Sequence, residues 1–476
     1  MQFNKWTEIL LLVILAVPFA LMVTLVKPTI GLAIALGALV MLVAFLSTTA
    51  SLYILIFSML LGPEFLIGEL TGVGTTAGRG VSLRFEDFLL IVIGLAWLAR
   101  VAFHKGLPAF PRTPLNRPII LFIAASVFAT SLGILAGHVK PLTGFLFLLK
   151  YYEYVFLYFM VVSAVTSDRQ VRGLVVASLV TCFLVSLFAV AQIPGGERAS
   201  APFEGQHGEP NTLGGYLVFM LAIVAGLWLT SGAMRRQLPL AILTAVGGVG
   251  LSATLSRSSF VAAGAVFLLV LGILARRKPQ LFPLALVVLL AAPWWLPQTV
   301  TERMAFTFTQ APEEGQIGIG AITIDTSTSE RFRGWERAVE SFYRSPLYGV
   351  GVTGGPFMDA MYPRVLMETG LLGTAAFLNL LWAFFRMGLG GYRSATDPFA
   401  RGLALGFLLG FVGLVVHALG ANTFLIVRIM EPFWLYAALV ARSLLVGQTE
   451  QASQPQAAFN DRAMRVLGRP AIGRPA

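Results

Sequence analysis

Residues 331–373, RFRGWERAVESFYRSPLYGVGVTGGPFMDAMYPRVLMETGLLG, form a charged, turn-rich segment between membrane-length apolar runs. Apolar runs fall near 8–26, 28–47, 49–67, 86–103, 117–137, 143–166, 170–193, 211–231, 238–255, 257–275, 279–297, 364–388, 401–420 and 423–446. At roughly 20 residues per crossing, each is long enough to span a bilayer. Hydrophobic residues make up 57% of the 476 and charged residues only 12%, about half the charge of a soluble domain. Mean hydropathy is +0.80. The expected fold is therefore all-α: a polytopic transmembrane helical bundle of about fourteen spans. A soluble protein with one large core is excluded.

The net charge of +11 is explained by insertion topology, with no need for nucleic acid. With the N-terminus cytoplasmic, the inner loops hold Lys105, Arg112, Arg117, Arg169, Arg172, Arg235, Arg236, Arg276, Arg277, Lys278, Arg386 and Arg393. The outer segments mix signs, with Glu197, Arg198, Glu204 and Glu209 together, which is the positive-inside pattern. MQFNK and the run to Val26 read as an uncleaved first span. The chain then divides into helices 1–11 over 1–297, an extracytoplasmic loop over 298–363, helices 12–14 over 364–446, and a disordered cytoplasmic tail over 447–476. No internal repeat is visible. The lone Cys182 sits in an apolar run as a small buried hydrophobe, and no cysteine–histidine cluster offers a metal site.

Within the long loop, Ser327 and Glu330 have capping-box spacing. Phe332, Trp335, Ala338, Val339, Phe342 and Tyr343 then recur at helical spacing. An amphipathic helix over 328–345 is expected on the outer membrane boundary, ended by Pro346 and a bend at Gly349, Gly351, Gly354 and Gly355. An arginine-rich cavity above a lipid-embedded scaffold suits an anionic, lipid-linked substrate.

The stretch Arg331-x-x-x-Trp335-x-x-Ala338, then Ser345-Pro346-Leu347-Tyr348-Gly349-Val350-Gly351, Tyr362 and Glu368-Thr369-Gly370-Leu371-Leu372-Gly373, resembles the O-antigen ligase and O-antigen polymerase family of membrane glycosyltransferases. Leu255-Ser256-Arg257-Ser258, Glu209-Pro210-Asn211 and Lys150-Tyr151-Tyr152-Glu153-Tyr154 add to the resemblance. It implies metal-independent transfer of a glycan from an undecaprenyl diphosphate to an acceptor sugar hydroxyl. The implied setting is the outer side of a bacterial inner membrane. Implied partners are the lipid-linked donor, a polysaccharide or lipid-linked acceptor, the bilayer and a chain-length regulator; no cofactor is implied.

Such chemistry builds negative charge on a departing lipid diphosphate. Permanently charged, bidentate arginines answer that need. Arg257 stands at an outer span edge with almost no loop around it, and Arg331 is expected in the first helical turn; both are candidate catalytic groups. Arg198 and Arg303 are phosphate contacts or plain loop charge. Arg333, Arg337 and Arg344 have partners in Glu336 and Glu340. In ligases of the family a histidine often stands nine residues before the glutamate of the E-T-G-L-L-G match. Here that position is Asp359, a candidate base or a helix cap, which tilts the reading toward a repeat-unit polymerase. Glu368 is expected to orient Arg331 or Arg257. Asn211 is a helix N-cap or a sugar contact, and Trp335 and Tyr362 are candidate substrate contacts. His417 reads as a satisfied interface histidine. Lys150 with Glu153, and Arg428 with Glu431, are expected to neutralise each other between helices. A transporter or flippase of lipid-linked sugars is the alternative, since it needs a similar anion-friendly cavity.

Overall fold

The structure, a computed structural model, describes residues 39–62, 64–66, 82–103, 110–202, 208–232, 234–277, 279–280, 283, 286–287, 291, 298–311, 313–319 and 322–445. Its helices are α1 (Thr48–Leu61), α2 (Phe85–Phe103), α3 (Asn116–Leu135), α4 (Pro141–Ala164), α5 (Asp168–Ala191), α6 (Pro210–Thr230), α7 (Met234–Ala253), α8 (Arg257–Arg277), α9 (Gln298–Thr309), α10 (Thr326–Arg344), α11 (Met361–Ser394), α12 (Pro398–His417) and α13 (427–445). Among the described residues seven helices are long and apolar enough to cross a membrane: α3, α4, α5, α6, α8, α11 and α12. The expected run at 8–26, the first part of 28–47, most of 279–297 and the tail 447–476 lie outside the described residues. The all-α expectation holds, with two short strand pairs added to it. Two antiparallel hairpins occur, β1 (Glu64–Leu66) with β2 (Ser82–Arg84) and β3 (Gly318–Ile319) with β4 (Ile322–Thr323). Both lie in connections between long helices, where backbone groups need partners that a helix does not supply.

Two packing devices hold the bundle. Gly402, Gly406, Gly410 and Gly413 stripe one face of α12 and let it press on α6; a Cβ on Gly226 would strike the Gly406 backbone. Small residues spaced this way allow close helix approach in lipid. Aromatic rings of α6, α11, α12 and α13 then interlock, with Phe384 and Phe433 centroids 4.8 Å apart and Phe384 and Trp434 5.0 Å apart. Outside, α3 exposes Ile120, Leu121, Val127, Phe128 and Leu135, as a lipid-facing helix should.

Polar groups inside the bundle take partners beyond those expected. Lys150 Nζ lies 2.6 Å from Asp87 on α2 and 3.5 Å from Glu153, so its closer partner comes from another helix. Arg428 donates to the carbonyls of Pro202 (2.8 Å) and Gly62 (3.1 Å). Glu431 is fully buried, with Glu86, Asp87, Glu153 and Lys150 as charged neighbours. Sequence spacing favours partners on the same helix; packing brings nearer ones from elsewhere.

Candidate active site

The N-terminal ends of α6, α8 and α11 meet the C-terminal end of α12 at one end of the bundle, roofed by α9 and α10. Arg257 opens α8. The chain reaches it through a tight turn in which Leu255 takes φ 46°, a left-handed conformation that costs a non-glycine residue free energy and is common at functional sites. Arg257 Nη1 donates to Thr307 Oγ1 on α9 (2.8 Å), and Nη2 pairs with Asp325 Oδ2 at 2.5 Å. Asp325, not Ser327, is the N-cap of α10: its carboxylate accepts from the Thr328 amide. The helix therefore runs from Thr326 to Arg344. Glu330, freed from the expected capping box, takes Arg333 (3.5 Å) and Arg337 (3.3 Å) in place of Glu336 and Glu340.

Because α10 starts at Thr326, Arg331 falls in its second turn and not its first. Arg331 Nε donates to the Gly420 carbonyl just beyond α12 (3.1 Å). Arg198 Nε donates to the Thr254 carbonyl in the turn before α8 (3.2 Å). Arg303 lies on α9, with its guanidinium 5.3 Å from the Phe306 ring centroid. The four arginines predicted from sequence thus share one site. Burial, then the charges of Arg303, Arg257 and Arg331, pushes the Arg198 guanidinium down to about 10. Arg303 is lowered by burial and Arg257, against the pull of Asp325. Arg331 is lowered by burial and Arg257, against Asp359 and Asp325. Guanidinium groups stay charged even so; burial is the main cause of each depression, Asp359 offsets part of it at Arg331, and repulsion from Arg257 adds to all three. An anion would relieve it.

Asp359 is exposed and feels Arg331. It does not cap α11, whose N-cap is Ala360 with no side-chain bond. Asn211 is not a cap either: α6 begins at Pro210 behind Glu209, and Asn211 Oδ1 accepts from Ser256 Oγ at 2.7 Å. The Tyr362 hydroxyl donates to the Val415 carbonyl (2.6 Å), tying α11 to α12, so its polar end is committed to structure. Trp335 is 40% exposed and shares an outward face with Phe332, Val339 and Tyr343.

Glu368 serves neither Arg331 nor Arg257. It pairs with Arg364 (3.0 Å), one turn earlier on the same helix, and takes the Tyr151 hydroxyl (3.4 Å) and the Thr353 amide (3.2 Å). Its place follows from a break in α11 at Gly370, where φ 60° and ψ −160° interrupt the helix. The freed carbonyls of Met367 and Glu368 accept from Val350 (3.0 Å) and Gly351 (2.8 Å). The amides of Leu371 and Leu372 donate to Pro346 (2.9 Å) and Leu347 (3.1 Å). The S-P-L-Y-G-V-G and E-T-G-L-L-G motifs are two halves of one backbone clasp, placed against the loop that carries Asp359.

Sequence reasoning missed Asp325 and Arg364. The i, i+4 spacing of Arg364 and Glu368 was a readable signal. Asp325 was not readable, because Asp325, Thr326, Ser327 and Thr328 are all competent N-caps and its second partner lies 68 residues away. Among the described residues no cluster of three or more His, Cys, Asp or Glu side chains is arranged to hold a metal ion.

Asp325→Asn tests this arrangement. Asparagine keeps the cap but leaves Arg257 unpaired, so stability falls by about 3 kcal/mol. Burial works to raise the Asp325 carboxyl, yet the bonds from Arg257 and Thr328 win and hold it below the usual carboxylate range. Its contribution is therefore complete above about pH 4 and fades as acid protonates the folded state. Thermal melts of wild type and variant should differ at neutral pH and converge in acid; coincident neutral melts would contradict the pairing.

Residues 240–370 match the O-antigen ligase family. The matched segment holds Arg257, Arg303, Asp325, Arg331, Asp359, Glu368 and Gly370, while Arg198, Asn211 and His417 lie outside it. No curated protein matches the chain. The seven membrane-length helices among the described residues are those of a multi-pass membrane protein, and over 240–370 it is similar to the O-antigen ligases.

Proposed function

We propose that this protein transfers a glycan from undecaprenyl diphosphate to an acceptor sugar hydroxyl at the extracytoplasmic face of a bacterial inner membrane. The observation that carries the reading is the convergence of Arg198, Arg257, Arg303 and Arg331, which among the described residues feel the counter-charges of Asp325 and Asp359. The acceptor oxygen attacks the anomeric carbon from the side opposite the diphosphate, so configuration inverts. The C–O bond to the diphosphate breaks, and its electron pair leaves with the phosphate. Arg257 and Arg331 hold that growing charge by forked hydrogen bonds in a water-poor setting; Arg198 and Arg303 add to the field. This donor set supplies the positive charge itself, so the mechanism calls for no metal. Asp359, exposed beside Arg331, hydrogen-bonds the acceptor sugar and orients its attacking hydroxyl, whose proton leaves to a neighbouring base.

Arg172, Arg386, Arg393 and Arg401 lie at the far ends of their helices from the site, toward the basic loops. The positive-inside rule supports an outer site on that ground. Asp359 in place of the family's histidine, together with the long loop, favours a repeat-unit polymerase over a ligase acting on the lipid A core.

The test is reconstitution into vesicles with lipid-linked oligosaccharide extracted from a host lacking this chain. Chain growth or acceptor labelling is the expected result. Movement of the lipid across the bilayer without bond formation would instead make the protein a carrier.

A further inference from the structure

Behind the arginines lies a buried hydroxyl–imidazole network that the diphosphate reading does not use. His417, fully buried at the end of α12, places Nδ1 2.8 Å from Thr423 Oγ1. Thr423 turns its own proton to the Ala421 carbonyl (3.5 Å), which can only accept. With the Thr423 proton so placed, its oxygen can receive the Nδ1 proton, and in that tautomer the neutral ring keeps a lone pair on Nε2. That lone pair faces Ser259 Oγ at 3.1 Å and Ser258 Oγ at 3.4 Å.

The remaining protons are assigned in turn. Ser256 gives its proton to Asn211 Oδ1 (2.7 Å), an atom that only accepts, and Ser259 gives its proton to Ser256 (2.8 Å). Ser258 Oγ, 3.2 Å from Ser256 Oγ and 3.4 Å from His417 Nε2, carries the remaining hydroxyl proton within reach of the imidazole lone pair. Having donated inward, Ser258 presents lone pairs outward. It is the half-buried member of the set, next after Arg257 in the chain. A Cβ placed on Gly420 would meet Ser258 Cβ at 3.2 Å and Arg331 Nε at 3.5 Å, so only one glycine separates Ser258 from the second arginine. Room for the network is made on α6. A Cβ on Gly215 would lie 3.0 Å from His417 Cε1, and one on Gly214 would strike Ser259.

We infer that Ser258 and His417 form the proton exit for the acceptor hydroxyl, which rests on the glycan-transfer reading above. As the acceptor oxygen bonds to the anomeric carbon, its proton passes to Ser258 Oγ and the Ser258 proton passes to His417 Nε2. The diphosphate departs with its electron pair, and its negative charge offsets the new imidazolium. The proton then returns through Ser258 to water. Asp359, its charge engaged by Arg331, orients the hydroxyl; an arginine-facing carboxylate keeps a proton poorly. Buried His417 touches no substrate and acts only through Ser258.

The test uses the full chain in lipid nanodiscs, with radiolabelled lipid-linked oligosaccharide as donor. Ser258→Ala removes the relay oxygen. His417→Asn keeps an N–H for Thr423 but removes the Nε2 lone pair. Each should lower kcat about 100-fold, the scale of a lost general base, with donor KM held within about twofold. The double variant should be no slower than either single one, because both break the same path. Ser258→Thr should recover most of the rate. The proton exit is overturned if Ser258→Ala keeps more than about half of the wild-type kcat, or if the two losses multiply in the double variant. Arg257→Ala in the same assay separates the two readings. An inactive Arg257→Ala beside a normal Ser258→Ala removes only the proton exit, whereas an active Arg257→Ala removes the diphosphate reading itself.

Discussion

Arg257→Ala lowers transfer by about a thousandfold, the scale seen when a fixed donor to a developing charge is removed. Its guanidinium is locked in place before substrate arrives, by Thr307 on one nitrogen and Asp325 on another. Five N–H donors on one plane leave others to face a phosphate. Donors that need no reorganisation at the moment of reaction stabilise a transition state most. The alanine variant also strands the Asp325 carboxylate, so its folding is measured in parallel by thermal melting in detergent. Arg257→Lys controls for that loss. It keeps a charge for Asp325 but not the forked geometry, and should fold well while transferring far more slowly than wild type. Product at near wild-type rate from either variant would remove Arg257 from the mechanism.

Gly370→Ala should be the most damaging single substitution for the architecture of the site. Its backbone, at φ 60° and ψ −160°, lies where essentially only glycine is stable. An added Cβ would stand 2.6 Å from Leu347 C, Tyr348 N and Gly349 N, all of them backbone atoms that cannot swing away. A cost of at least ~3 kcal/mol is expected from strain alone. The four backbone hydrogen bonds between 346–351 and 367–372 would loosen with it, and Glu368 would lose its grip on the Thr353 amide. The expected readings are a melting temperature lowered by many degrees and loss of transfer. A variant that melts with wild type would show that the break in α11 is incidental.

Much of the fold was legible because lipid imposes a simple rule. A backbone in hydrocarbon must satisfy its hydrogen bonds internally, so membrane-length apolar runs become helices. The runs at 117–137, 143–166, 170–193, 211–231, 257–275, 364–388 and 401–420 coincide with α3, α4, α5, α6, α8, α11 and α12. The two hairpins escaped, since strands of two or three residues carry no periodic signal. Arg257 could be singled out because a charge at the edge of an apolar run is costly and so needs a reason; Arg331 was singled out as a first-turn cation opposing the helix dipole, although the structure sets it in the second turn. Glu368 was rightly marked as needing a partner, but the partner was misassigned. The i, i+4 spacing pointed to Arg364, but nothing in it announces the kink at Gly370 or the Tyr151 and Thr353 partners that the folded loop brings to the carboxylate.

By itself, the sequence determined a lipid-embedded helical bundle, the approximate extents of its long helices and the residue types able to receive an anion. These follow from local chemistry, as hydropathy, charge and glycine placement act within a few turns of chain. Only the tertiary structure decided that Arg198, Arg257, Arg303 and Arg331 converge, that Asp325 grips Arg257 across 68 residues, and that Ser258 backs onto His417 across 159. Such pairings depend on how rigid helices cross, and crossing is set by small glycine faces and ring packing summed over the whole bundle.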